Sequence, residues 1–167
     1  RTVAIAQSMR PMRLDGLASS PPGLQSSEAL NGITALSALQ TSNYKLFYPE
    51  QGGREGLFIN LQALAIHFFG NTPVALRVVS ALAGILTVLG VYLLTRRMFD
   101  NWHLASIAAF LMAVGFWHVS FSRMGVQAIM APLFAVWGFY YLYKGIETSR
   151  LWHWLIAGVW FGLGFHT

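Results

Sequence analysis

The chain has 167 residues, of which 55% are hydrophobic and only 10% charged, with a mean hydropathy of +0.51. A soluble domain carries about a quarter charged residues, so this composition excludes disorder, a coiled coil and an ordinary soluble enzyme. The net charge of +5 comes from 11 basic residues scattered singly or in one pair, with no basic patch beside stacking aromatics, which argues against nucleic acid as a partner. The absence of cysteine removes disulfide scaffolds and thiolate metal sites. The composition is that of an integral membrane protein.

In chain order, residues 1–13 read as the tail of a truncated first membrane helix. Residues 14–72 differ in kind. Ser19-Ser20-Pro21-Pro22-Gly23 is a turn, and Ser26-Ser27-Glu28 can cap a helix over 28–39. Residues 43–53 read as loop, broken by Pro49 and Gly52-Gly53. Residues 57–69 are apolar but too short to span alone, which fits an interfacial helix or a core-packed half-span. From residue 73 onward the sequence reads as membrane helices. A span needs about 20 apolar residues, and 74–94 meets this, interrupted only by Arg77 and closed by Arg96-Arg97. Residues 104–119 and 126–143 follow, the second with Pro132 as an expected kink and Tyr140-Tyr141 and Tyr143 at its end. A fourth span opens at Leu151 and is still apolar at Thr167, so the chain reads as a fragment. Gly158-x-x-x-Gly162 permits close helix packing. Arg96, Arg97, Lys144 and Arg150 flank two tight turns on one side, cytoplasmic by the charge rule for short loops. The 14–72 segment and the turn at 122–125 then face outward.

The acidic residues are few enough to take singly: Asp15, Glu28, Glu50, Glu55, Asp100 and Glu147. Asp100 and Glu147 sit beside basic residues in the cytoplasmic turns and read as solvated loop charges. Glu28, Glu50 and Glu55 fall in the outer segment, where carboxylates can hold a divalent cation or take a proton from an acceptor hydroxyl. Glu28 is equally a first-turn residue favoured by the helix dipole, and Glu55 can pair with Arg54. Arg123 sits in an outward turn where the charge rule does not favour a cation. It either snorkels to headgroups or grips a phosphate with two donors. His118, near the same helix end, reads as an interface residue before a ligand or base.

A set of short motifs then occurs in order: Pro21-Pro22-Gly23-Leu24, Ser27-Glu28-Ala29-Leu30-Asn31-Gly32, Phe47-Tyr48-Pro49-Glu50 and Gly53-Arg54-Glu55-Gly56-Leu57-Phe58. Ala75-Leu76-Arg77, Arg96-Arg97-Met98-Phe99 and Phe121-Ser122-Arg123 follow. In this arrangement the chain resembles the bacterial branch of the family 39 glycosyltransferases. That group is similar to the dolichyl-phosphate-mannose protein mannosyltransferases and the lipid A aminoarabinose transferases, all of the GT-C membrane fold. The resemblance implies an all-α, polytopic transmembrane bundle with an outer loop of short interfacial helices, in the cell (inner) membrane. It implies a polyprenyl-phosphate sugar as donor, an acceptor hydroxyl or amine on the outer face, and a divalent metal ion as cofactor. In the family, the first outer loop carries an Asp-Glu pair whose Asp is the proposed base. Glu28 falls on the Glu and is expected to act as the base or its helper, while Ser27 stands at the Asp position, where a neutral hydroxyl cannot accept a proton as a carboxylate can. The resemblance then implies that Glu28 has taken over the role, that this copy is impaired, or that the acceptor differs. Glu55 matches the acidic position that helps hold the metal, and the family Arg near the donor phosphate corresponds to Arg123 or to Arg54. The competing readings are a polytopic transporter or flippase-like protein, and a degenerate transferase that only binds its donor. Transporters place ionisable residues near mid-membrane; here the carboxylates cluster outside the spans, which favours surface chemistry.

Overall fold

A computed structural model describes Leu17 and residues 23–49 and 53–165; Asp15 and Glu50, and the expected helix tail at 1–13, lie outside the described residues. The described chain is mostly helical. Helix α1 spans Ser26–Thr41. Two short strands follow, β1 (Phe47–Tyr48) and β2 (Arg54–Glu55), paired antiparallel with Phe47 opposite Glu55 and Tyr48 opposite Arg54. Helix α2 is Gly56–Phe69 and α3 is Pro73–Phe99. The rest comprises α4 (Trp102–Val114), α5 (Phe116–Arg123), a 3-10 turn (Gln127–Ile129), α6 (Met130–Thr148) and α7 (Leu151–Gly164).

Helix α3 is the central rod, and its 27 residues reach about 40 Å. Its start follows from local chemistry: Pro73 occupies the first turn, where its missing N–H costs nothing, and the Thr72 hydroxyl accepts from the Ala75 N–H at 3.3 Å. Helices α1 and α2 pack on its N-terminal end through Ala35, Ile59, Ala63 and Leu76. Helices α2 and α6 meet it in a second cluster around Phe58, Ala83, Ile129 and Phe134.

Helix α4 is built inside out relative to a soluble helix. Its buried stripe is Ala105, Ala109 and Ala113, set against Val88 and Tyr92 of α3, while Ile107, Phe110 and Leu111 are exposed. Small residues inward and large apolar residues outward suit a helix that packs closely on a neighbour and meets hydrocarbon on its other face. Among the described residues α3 alone is a single helix long and apolar enough to cross a membrane; α4 and α5 make a second span if the bent pair counts as one.

Three sequence expectations are revised in detail. The apolar run at 104–119 is not continuous: it breaks at Gly115, and α4 and α5 bend by 57°. Glycine is the weakest ordinary helix former, and beyond the break His118 is tied to α3 by a 3.2 Å contact with the Gly84 carbonyl. Pro132 does not kink a helix, because α6 begins only at Met130 and places it in the first turn. No atom lies within 4 Å of a side chain built at Gly158 or Gly162, so that pair mediates no close packing among the described residues.

Candidate functional site

The polar residues collect where α1, β2, the N-terminal part of α3 and the turn after α5 converge. The ribbon that presents Arg54 and Glu55 is fixed from below. The Gly56 N–H donates to the Leu46 carbonyl at 2.7 Å, and the Tyr48 hydroxyl donates to Asn60 Oδ1 at 2.8 Å. Asn60 Nδ2 in turn donates to the Lys45 carbonyl at 3.0 Å. Gly56 is required by close approach, since a Cβ there would lie 2.0 Å from the Lys45 oxygen.

Glu28 and Arg77 form the buried centre. Arg77 Nε donates to Glu28 Oε1 at 2.6 Å and Nη2 to Glu28 Oε2 at 3.2 Å, and both side chains are essentially inaccessible to solvent. The remaining guanidinium donors reach the Leu17 carbonyl at 2.8 Å and the Gly23 carbonyl at 2.5 Å. Arg77 therefore anchors the segment preceding α1. Glu28 also accepts from the Gln25 N–H at 3.4 Å at the start of α1, and from the Gly125 N–H at 3.3 Å. Every oxygen of this carboxylate is occupied by a donor. Such a pair is retained only when its hydrogen bonds are complete, because desolvating two charges is expensive.

The turn at 124–129 joins the two carboxylates of the site. Its Gly125 bonds Glu28, and Gln127 Nε2 donates to Glu55 Oε2 at 2.7 Å. Gln62, buried on α2, donates to the Leu76 carbonyl at 3.0 Å and to the Gly125 carbonyl at 3.3 Å, while its own Oε1 has no partner. Arg54 Nη1 donates to Asn31 Oδ1 and to the Ser27 carbonyl, the latter at 3.4 Å. Arg123 closes the last turn of α5, two residues before Gly125, and is half-buried.

Of the expected residues, Ser27, Glu28, Arg54 and Glu55 are drawn together by these contacts, with Arg123 at the edge of the turn that links them. Glu28 is fully buried, whereas Ser27, Arg54 and Glu55 are partly accessible. Among the described residues no three His, Asp or Glu side chains converge on a metal position. Glu55 offers one carboxylate there, and Asp15 and Glu50 lie outside the described residues. Sequence reasoning did not find Gln127 or Gln62, which carry no motif, and gave no role to Asn31, quoted only within a motif, or to Gly125, read only as part of a turn. Arg77 was visible as the lone charge in an apolar run, a signal that by itself marks function in a membrane helix.

The two ends of α3 are chemically distinct. Arg77 lies at the site end and Arg97 at the other, about 30 Å apart along the axis at the ordinary helical rise, close to the thickness of a bilayer's hydrocarbon core. At the far end Arg97 Nε meets Glu147 Oε2 at 2.6 Å, which brings the last turns of α3 and α6 together.

The family model described as dolichyl-phosphate-mannose-protein mannosyltransferase matches residues 57–167. The chain belongs to this family. Its members are membrane glycosyltransferases of the GT-C type, and the outward apolar face of α4 agrees with membrane residence. The match includes Arg77, Arg123, Gly125 and Gln127; Ser27, Glu28, Arg54 and Glu55 precede it. No curated protein and no solved structure matches the chain.

Proposed function

We propose that this family member transfers a sugar from a polyprenyl-phosphate donor to an acceptor hydroxyl or amine on the extracytoplasmic face of the cell membrane. In this reading α3, the bent α4–α5 pair, α6 and α7 belong to a multi-pass bundle. One observation carries the donor class. A groove of about 300 Å³ runs between α2, α3 and α6, walled by Leu61, Leu64, Phe68, Val79, Leu82 and Leu133. Its lining begins on α3 at Val78, the residue after Arg77, and on α2 at Leu61, in the helix that follows Glu55. A long isoprenoid chain in the groove would set its phosphate at the polar cluster of the candidate site.

The chemistry follows from which groups remain accessible. The acceptor oxygen attacks the anomeric carbon, the bond from that carbon to the phosphate oxygen breaks, and the lipid phosphate leaves with the electron pair. Arg54 and Arg123 supply guanidinium donors for the charge that develops on the leaving phosphate. Glu55 is the partly accessible carboxylate, oriented through one oxygen by Gln127, and takes the acceptor proton. Glu28 serves as a positioning residue: it fixes Arg77, the start of α1 and the 124–129 turn. The absence of an acid at Ser27 is the observation that favours the second reading, a degenerate member that binds its donor without turnover.

A photoreactive polyprenyl phosphate tests the donor site. On the full-length protein in membranes, crosslinks are expected on Leu64, Leu82 and Leu86, which are about half-exposed along the groove, and Leu82→Trp reduces them. Labelling confined to other helices, or unchanged in Leu82→Trp, contradicts the assignment.

A further inference from the structure

The end of the bundle away from the Glu28–Arg77 site holds a second charged cavity. The last turns of α3 and α6 frame a cleft of about 520 Å³ lined by Leu93, Arg96, Arg97, Asp100, Tyr140 and Glu147. Its charges divide into two sets. Arg97 is matched internally by Glu147 at 2.6 Å and lies 5.9 Å from the centre of the Tyr140 ring. Arg96 and Asp100 are both exposed and make no ion pair among the described residues.

These two groups form a corner of opposite charges one helical turn apart. Asp100 is the C-cap of α3 in the left-handed conformation, with φ 47°. Asp100 therefore directly follows the final carbonyls of the helix, whose partial negative charge adds to its own and favours a cation. Arg96 brings a guanidinium suited to phosphate oxygens. The surroundings are those of a bilayer interface, with Tyr140 in the wall, Leu93 on the apolar side and Trp102 exposed just beyond Asp100.

We propose that this cleft holds the headgroup of a phosphatidylethanolamine lipid, with the phosphate on Arg96 and the primary ammonium on Asp100. The ammonium selects this headgroup over others. The lining itself balances two guanidiniums against two carboxylates, and a glycerol headgroup brings no cation and leaves the Asp100 carboxylate unused. A choline headgroup has no ammonium N–H to donate to Asp100. The inference needs only that this end of the chain lies at the membrane surface, and it stands apart from the donor assignment.

The full-length protein, stripped of co-purifying lipid and examined by native mass spectrometry, tests this with ethanolamine, choline and glycerol phospholipids of matched chains. Wild type is expected to retain the ethanolamine lipid about tenfold more tightly than the other two, the effect of one hydrogen bond between charged groups. Asp100→Asn removes that preference, Arg96→Ala weakens all three lipids, and Asp100→Glu keeps the preference, which separates loss of a ligand group from loss of fold. Equal retention of the three lipids by wild type, preference for the glycerol lipid, no retention of any, or a preference that survives Asp100→Asn overturns the proposal.

Discussion

Glu28 and Arg77, 49 residues apart in sequence, close a 2.6 Å ion pair in which neither side chain reaches solvent. Around that pair the start of α1, the chain at Leu17 and Gly23, and the turn after α5 are held to the N-terminal part of α3.

Removing one partner leaves the other charged, buried and unmatched. Glu28→Gln and Arg77→Met are each expected to destabilise the folded protein by about 3–5 kcal/mol. The double variant is expected to cost less than the two singles added together, because no orphaned charge remains. Denaturant unfolding of the purified full-length protein in detergent measures all three. Strict additivity would show that the pair is not the coupling element described here.

Gly125 sits where a side chain would be crowded. A Cβ would meet Glu28 Cγ at 3.0 Å and the Leu76 carbonyl at 3.1 Å. Gly125→Ala is therefore expected to lose about 1–3 kcal/mol by overpacking. Gly158→Ala, inside α7 with nothing within 4 Å, is expected to stabilise by about 0.5–1 kcal/mol. Thermal unfolding of the two variants side by side checks the contrast.

Gln127 acts through Glu55. Gln127→Ala is expected to lower kcat for sugar transfer about tenfold, the worth of one hydrogen bond to a charged group, with little change in KM for the donor. In a Glu55→Ala background the same substitution is expected to add nothing further. A matching loss in both backgrounds would place Gln127 outside this linkage.

Ser27 is half-exposed, and its carbonyl accepts from Arg54 at 3.4 Å. Ser27→Asp therefore adds a carboxylate beside a guanidinium at low folding cost. Transfer is expected to equal or exceed wild type. Release of sugar only in Ser27→Asp would identify the wild-type chain as the degenerate, donor-binding form.

The sequence carried the local features of this fold well. Apolar runs located α2 and α3, and the polar character of 14–72 pointed to the end of the bundle where the candidate site lies. Features that depend on distant partners were not legible. Glu28 resembles any first-turn acid until Arg77 is folded over it, and Gln127 has no signature until the 124–129 turn is laid against β2. Residues 43–53 contain only turn signals, yet Phe47–Tyr48 pairs with Arg54–Glu55 because the Tyr48 and Asn60 side chains close the ribbon. Pro132 reads as a kink when the helix is assumed to start at 126, and becomes an ordinary first-turn residue once Met130 is its start.

The central claim is sugar transfer from a lipid phosphate with Glu55 as the working carboxylate. Its most direct test follows a labelled sugar from polyprenyl phosphate in membranes containing the full-length protein, with a nucleotide sugar as the comparison donor. The account predicts release from the lipid donor alone, and loss of about 10²-fold or more in Glu55→Ala, as for removal of a general base. Transfer from the nucleotide sugar, or full activity of Glu55→Ala, would contradict it.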